Sequence, residues 1–187
     1  MANEARPIRS LVGAMSSSED EVRESITTPG ADAYFLDLED TVHPDERPTL
    51  RTMHRRVLDD LGTSGYTIMC RGNVIGTGET GNDLEAIVCA GLHPIWRPKP
   101  QGPEDVIAVS ALLDHFEQKA GLEVPHTWIF PLMETTAAIM GCYQLAKASH
   151  RVEYMGAPVT PSAHAANRRI VRTAMTGSAQ VRRIPKW

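Results

Sequence analysis

Three carboxylates, Asp37, Glu39 and Asp40, close the apolar run Tyr34-Phe35-Leu36. A short apolar run bounded by turn signals reads as a buried strand. Carboxylates released together at its end cannot all lie in a core, because burying unpaired charge is costly. They must face water, a cation or a substrate. Three later runs end in charge in the same way: Thr67-Ile68-Met69-Cys70 at Arg71, Pro94-Ile95-Trp96-Arg97-Pro98 at Lys99, and Trp128-Ile129-Phe130-Pro131-Leu132-Met133 at Glu134. Arg71 carries a fork of donors suited to bidentate binding of a carboxylate or phosphate, or to a structural pair with a loop acid. Lys99 stands between Pro98 and Pro100, which fix the backbone around it, and offers a cation at a rigid strand exit. Glu134 precedes a helix start. It could hold Mg²⁺, which takes few protein carboxylates plus substrate oxygens and water, or simply favour the helix dipole. His43 follows the acids as a candidate general base or a solvated turn residue. The other six histidines show no metal-ligand spacing.

Charge gathered at the ends of successive strands is the pattern of an α/β active site, above all in a parallel barrel. Strands are expected at Ile8–Val12, Ala33–Leu38, Tyr66–Cys70, Pro94–Arg97, Thr127–Leu132 and Val152–Met155, with a further one at Gln180–Ile184. Helices are expected at Glu19–Ser25, Pro48–Leu61, Asn82–Ala90, Pro103–Ala120, Thr135–Ala148 and Ser162–Thr176. Strand follows strand roughly every 24 to 34 residues, one βα unit each. The chain has 187 residues, whereas a complete barrel typically needs about 250 and at least about 200. The expectation is one domain over residues 1–187, a parallel (β/α) barrel of TIM type that is C-terminally incomplete, with six to seven units. An open doubly wound sheet is the other arrangement such alternation allows.

Gly76-Thr77-Gly78-Glu79-Thr80-Gly81 matches GxGxxG. A dinucleotide fingerprint needs its first Gly at the turn out of the strand and an acid about 20 positions on, after a second strand. Here the strand ends near Arg71 and position 101 is Gln101. A flexible loop is the better reading, with nucleotide binding second to it.

Apolar and charged fractions of 42% and 22% are ordinary for a globular protein. A net charge of −4 gives no reason to expect nucleic acid or an anionic membrane as partner. The basic cluster at Arg168, Arg169, Arg172, Arg182, Arg183 and Lys186 reads as a solvated face or an oligomer contact. Cys70, Cys89 and Cys142 lack CxxC spacing, the N-terminus lacks an apolar signal core, and no run suggests a membrane span. A cytoplasmic protein is expected.

The charged strand ends, in this order, resemble the citrate lyase β-subunit-like branch of the HpcH/HpaI aldolase superfamily. Ala31-Asp32-Ala33-Tyr34-Phe35-Leu36-Asp37-Leu38-Glu39-Asp40-Thr41-Val42 is similar to that family's GADAVILDLEDAV segment. Cys70-Arg71-Gly72-Asn73 resembles its VRVN strand end, Pro98-Lys99 with Gly102-Pro103-Glu104-Asp105-Val106 its PKV…PEDV turn, and Met133-Glu134-Thr135 its IET metal-ligand motif. The likeness covers about residues 8–175. It implies a (β/α)₈ barrel assembled as a trimer or hexamer. It also implies Mg²⁺-dependent carbon–carbon cleavage or condensation, of aldol or Claisen type, on 2-oxo acids or acyl-CoA thioesters. By carry-over Glu134 binds the metal, Asp37, Glu39 and Asp40 order the water around it, and Arg71 holds a substrate carboxylate or carbonyl, with Lys99 beside it.

The sequence departs from that pattern in three places. The family's second metal ligand, in a GAED segment, is replaced by Gly156-Ala157-Pro158-Val159; Asp32 and Asp83 are the acids that could stand in. The family's PGD-like first loop reads Gly13-Ala14-Met15-Ser16-Ser17, and an eighth βα unit is not expected within the 187 residues. The leading expectation is a Mg²⁺-dependent lyase on a small-molecule substrate. The alternative is a non-catalytic paralogue or binding subunit that keeps the barrel and has lost metal chemistry.

Overall fold

Strands apolar on both faces have to be covered on both faces, which a parallel sheet with crossover helices achieves. A computed structural model describes residues 7–28, 30–157 and 182–183. In chain order come β1 (Leu11–Gly13), α1 (Glu19–Thr27), β2 (Ala33–Asp37), α2 (Arg47–Val57), β3 (Ile68–Arg71), α3 (Thr80–Ile87) and β4 (Leu92–Arg97). Then follow α4 (Pro103–Lys119), β5 (Trp128–Pro131), α5 (Thr136–Met140), α6 (Cys142–Lys147), β6 (Tyr154–Met155) and β7 (Arg182–Arg183). β1 to β5 lie in sequence order and every neighbouring pair is parallel. Isolated parallel bridges from Ile129 to Val152 and from Leu132 to Gly156 carry that order one segment further. The wall is that of a (β/α) barrel, left incomplete among the described residues.

Two expectations need correction. Of the segment expected as a further strand at Gln180–Ile184, the described residues Arg182–Arg183 pair antiparallel with β6 and do not extend the parallel order. An antiparallel partner supplies ladder bonds without a crossover helix. The helix expected over Thr135–Ala148 is broken at Gly141, which separates α5 from α6. Glycine inside a helix costs about 1 kcal/mol relative to alanine, and the turn at Thr135 is capped separately by its own hydroxyl on the Ala138 amide. The helix expected at Ser162–Thr176 lies outside the described residues.

Strand alternation sorts the side chains into two cores. Tyr34, Leu36, Ile68, Cys70, Ile95 and Ile129 pack toward the helices, against Val22, Ile26, Met53, Val57, Leu84 and Val109 among others. Ala33, Met69, Trp96, Phe130 and Tyr154, with Phe35 and Trp128, form an inner, aromatic cluster. Phe35 meets Trp96 edge-on at 4.6 Å and Trp96 stacks on Phe130 at 5.7 Å between centroids. By the same alternation Asp37, Arg71 and Glu134 continue the inner rows of Phe35, Met69 and Phe130. The charged ends therefore stand above an aromatic floor.

At the opposite end of the strands a buried ion cluster secures β5. Arg151, fully buried, donates to Glu117 at 2.9 and 2.7 Å, to Asp114 at 2.5 Å and to the Thr127 carbonyl at 2.8 Å. Glu117 also accepts the amides of His126 and Thr127. Removing one partner of a buried pair strands the other. Arg151→Ala is therefore expected to cost about 3–5 kcal/mol in urea denaturation.

His54 on α2 is buried, with Nδ1 3.9 Å from the Cys70 sulfur. Burial, opposed by the charge of Asp37, lowers its imidazole from 6.5 to about 4. The unfolded chain then binds more protons than the folded one between those values, so stability is complete above 6.5 and is lost as pH falls toward 4. Urea titrations should show about 2–3 kcal/mol lost over that interval, at 1.36 kcal/mol per pKa unit. His54→Gln should flatten that slope, which a comparison of the two pH profiles checks.

Candidate active site at the strand ends

Parallel register sets Asp37 directly beside Arg71. The pair is bidentate: Arg71 Nε to Asp37 Oδ1 at 2.7 Å and Nη2 to Oδ2 at 2.6 Å. Asp37 also accepts the Thr41 hydroxyl at 2.6 Å and the amides of Glu39 and Thr41. Burial alone would raise its carboxyl, but the bonds from Arg71 and Thr41 outweigh it and hold the group below the usual carboxylate range. The remaining Arg71 nitrogen, Nη1, lies 3.5 Å from Asp40 and 3.6 Å from Glu39. Its guanidinium carbon stands 5.7 Å from the Trp96 ring centre. Arg71 is thus spread between a fixed anchor and a rim where an anion could join it.

Lys99 follows β4 in the left-handed region, with φ +49°. By strand alternation its side chain belongs with Ile95 and Arg97 toward the helices; the left-handed turn brings it instead to the acids. Nζ donates to Glu39 at 2.6 Å and to Asp40 at 2.7 Å. Its amide donates to Glu134 Oε1 at 2.9 Å. Such backbone strain, on the order of 1–3 kcal/mol, persists only when neighbours enforce it. Burial raises the carboxyls of Glu39 and Glu134 above their ordinary values despite Lys99. Glu39 Oε2 is buried and accepts no hydrogen bond.

All six expected residues, Asp37, Glu39, Asp40, Arg71, Lys99 and Glu134, are therefore joined in one bonded network. A cleft of about 220 Å³ opens beside Asp37 and Thr41, walled by Met15, Ser16, Ser17 and Glu46. The first loop thus borders the site. His43 is largely exposed and accepts the Asp45 amide across the turn Pro44–Glu46. Asp32 precedes β2, at the far end of the strand, where Arg9 and Ser10 donate to it.

A second network lies behind this one, centred on Asp83, which the sequence offered as a stand-in metal ligand and which the structure commits to Arg51 and Asn73 instead. Asp83 on α3, fully buried, accepts from Arg51 Nε at 2.8 Å and Nη2 at 2.7 Å, and from the Asn73 amide and side chain at 2.6 and 2.9 Å. Asn73 in turn donates to the Leu38 carbonyl at 3.0 Å, between Asp37 and Glu39. Arg51 also binds Glu79. The GxGxxG segment is thereby tied down as a loop whose Gly76 and Gly78 take φ of +91° and +81°. Arg97 is buried nearby; burial lowers it to about 10, and its Nη1 has no acceptor. A Cβ at Gly72 would stand 3.1 Å from that nitrogen and 3.3 Å from Asp83, so only glycine fits between them without a shift. In sequence Asp83 looks like any acid in a helix's first turn, which hid its role. Asp83→Ala, by leaving Arg51 and Asn73 without their acceptor, should destabilise by about 3–5 kcal/mol in urea titration.

Comparison with known proteins agrees with this geometry. The sequence matches the family described as HpcH/HpaI aldolase/citrate lyase over residues 14–177. It is 29% identical to the citrate lyase subunit beta of Escherichia coli strain K12 over 147 residues, 79% of this chain and 48% of that protein. It is also 29% identical to a (3S)-malyl-CoA thioesterase of Cereibacter sphaeroides over 146 residues, 78% of this chain and 47% of that protein. The chain spans about half the length of the curated relatives it matches. Among solved structures, the Mycobacterium tuberculosis citrate lyase beta subunit complexed with oxaloacetate and magnesium superposes with a TM-score of 0.58 at 22% identity, covering 78% of this chain and 55% of that one. A malate synthase from Haloferax volcanii gives 0.64 at 16% identity over 75% and 45%. With its six charged residues on successive parallel strand ends, the chain belongs to the HpcH/HpaI aldolase/citrate lyase family.

Proposed function

We propose that the protein is a Mg²⁺-dependent carbon–carbon lyase, cleaving or condensing a 2-oxo acid or an acyl-CoA thioester by aldol or Claisen chemistry. The observation that carries this reading is the charge count of the network. Four carboxylates, Asp37, Glu39, Asp40 and Glu134, meet two cations, Arg71 and Lys99, which leaves two negative charges uncompensated when all are ionised. Hard oxygen donors with a surplus of two charges, among them Glu39 Oε2, which accepts no hydrogen bond and has Arg71 Nη1 at 3.6 Å, suit a divalent cation better than a neutral ligand. Glu134 would hold the ion, with Glu39 and Asp40 ordering the water around it. Bound there, Mg²⁺ would act as a Lewis acid on a substrate carbonyl. Arg71 orients a substrate carboxylate or carbonyl, and its bidentate bond to Asp37 fixes the plane of the fork. The aromatic floor of Trp96 and Phe130 excludes water below, which strengthens each of these charges.

Asp83 and Asp32 are committed to other partners, so they do not replace the acid absent at Val159. That substitution favours the second reading, a binding subunit without metal chemistry. The exposed side chains of Met140 and Tyr143 support assembly into a homo-oligomer, a trimer or hexamer if the family resemblance extends that far. No helix among the described residues is long and apolar enough to cross a membrane. The unpaired thiols of Cys70, Cys89 and Cys142 suit a reducing cytoplasm.

Calorimetric titration of Mg²⁺ in the presence of oxalate or pyruvate separates the two readings. Saturable binding that Glu134→Gln weakens by at least about 1.4 kcal/mol, tenfold in Kd, supports the lyase. No heat at millimolar metal in either protein points to the binding subunit.

A further inference from the structure

The cleft beside Asp37 has a composition that the charged network does not explain. Met15 and Leu50 give it apolar wall, Ser17 and Thr41 hydroxyls, Glu46 a carboxylate and His54 an imidazole. Neither lysine nor arginine lines it among the described residues. His54 is 2% exposed, and its Nδ1 is turned to the Cys70 sulfur at 3.9 Å. Nε2 has no protein partner, and as the ring nitrogen away from Cys70 it is the one that the cleft reaches. An imidazole kept neutral by burial accepts a hydrogen bond there once Nδ1 carries the ring proton toward sulfur. Glu46 and Ser17 are exposed at the mouth, with their side-chain oxygens unbonded. Asp37 is the second carboxylate of the wall, its charge already met by Arg71. α1 starts just past Ser17, and its first turn holds Glu19, Asp20 and Glu21. These acids offset the attraction that a helix start has for anions.

We infer that this cleft is a binding site for a small organic ammonium carried on a short aliphatic stem. An ammonium has three donors and no acceptor, and the free groups here are acceptors: the Glu46 carboxylate, the Ser17 and Thr41 oxygens and His54 Nε2. Thr41 spends its own proton on Asp37 at 2.6 Å, so its oxygen is left to accept. The stem packs on Met15 and Leu50, as the stem of a lysine covers apolar surface. A phosphate or carboxylate would meet acids with no cation in the wall to pair it, and is rejected. The volume of about 220 Å³ lies below the roughly 300–1,000 Å³ of pockets for drug-sized ligands, so the guest is small. The assignment is independent of the metal-dependent reading above.

Titration of the full chain with n-butylammonium in the presence of EDTA, followed by proton NMR, tests it. The reporter is the imidazole resonance that disappears in His54→Gln. A saturable shift is expected, with a Kd about tenfold below that of 1-butanol, because a charged donor makes the stronger bond. Sodium butyrate, of equal length and opposite charge, should give no shift up to about 50 mM. Glu46→Lys should weaken amine binding at least about tenfold. Ser17→Trp, a change at an exposed position, should close the cleft to the amine. Glu24→Lys, the same charge change elsewhere on α1, should leave the Kd within about twofold at physiological salt. Butyrate or 1-butanol binding as tightly as the amine overturns the assignment, as does amine binding untouched by both Glu46→Lys and Ser17→Trp. So does the absence of a saturable shift up to about 50 mM amine. None of these outcomes bears on Mg²⁺ at Glu134, so the two readings stand or fall separately.

Discussion

The ion pair between Asp37 and Arg71 is the constraint on which the site depends. It requires that β2 and β3 pair in one register, because a slip of a single residue would send one of the two side chains to the helix face. It also requires that both strands end at the same height, so that two charges leave the core together. Removing Arg71 would leave Asp37 as an uncompensated charge in a nearly closed setting, at about 3–5 kcal/mol. Packing of the aromatic floor and bonding of the charged rim thus select the same alignment. Neither could be kept if the other were lost.

The two faces of the sheet carry different kinds of polar network. On the inner side the bonds are arranged around groups with spare capacity, Glu39 Oε2 and Arg71 Nη1 among them. On the helix side Asp83 has both oxygens engaged twice, by Arg51 and Asn73. The satisfied network holds the backbone from which the unsatisfied one projects. Asn73 is the direct link, since its side chain bonds the carbonyl of Leu38 between two of the acids.

Much of this was readable in the sequence. Apolar runs ending in Asp37, Arg71, Lys99 and Glu134 gave strand positions and the end of the sheet at which these charges gather, because burial and charge leave few alternatives for such runs. What the sequence hid depends on backbone angle or on distant partners. The direction of Lys99 follows from its left-handed φ, which flanking prolines do not announce. Asp83 resembles an ordinary helix-start acid until Arg51, 32 residues away, is brought against it. Arg97 lies in a strand that reads as apolar, and its burial without an acceptor has no local signal. The break at Gly141 and the antiparallel β7 were outcomes of packing rather than of periodicity.

The segregation of bonded anchors from rim residues bears on how such a protein changes over generations. Substitutions at the exposed rim, Asp40 and the Lys99 side chain, touch groups only partly buried, so new substrates can be explored there with less danger to folding than at Asp37 or Arg71. Gly72 is the opposite case. Wedged between Arg97 and Asp83, it takes a Cβ only if those two side chains give way by a few tenths of an ångström, and both belong to the network on the helix face. The rim can change while the joint between β3 and the helix face stays constrained by the absence of one methyl group at Gly72.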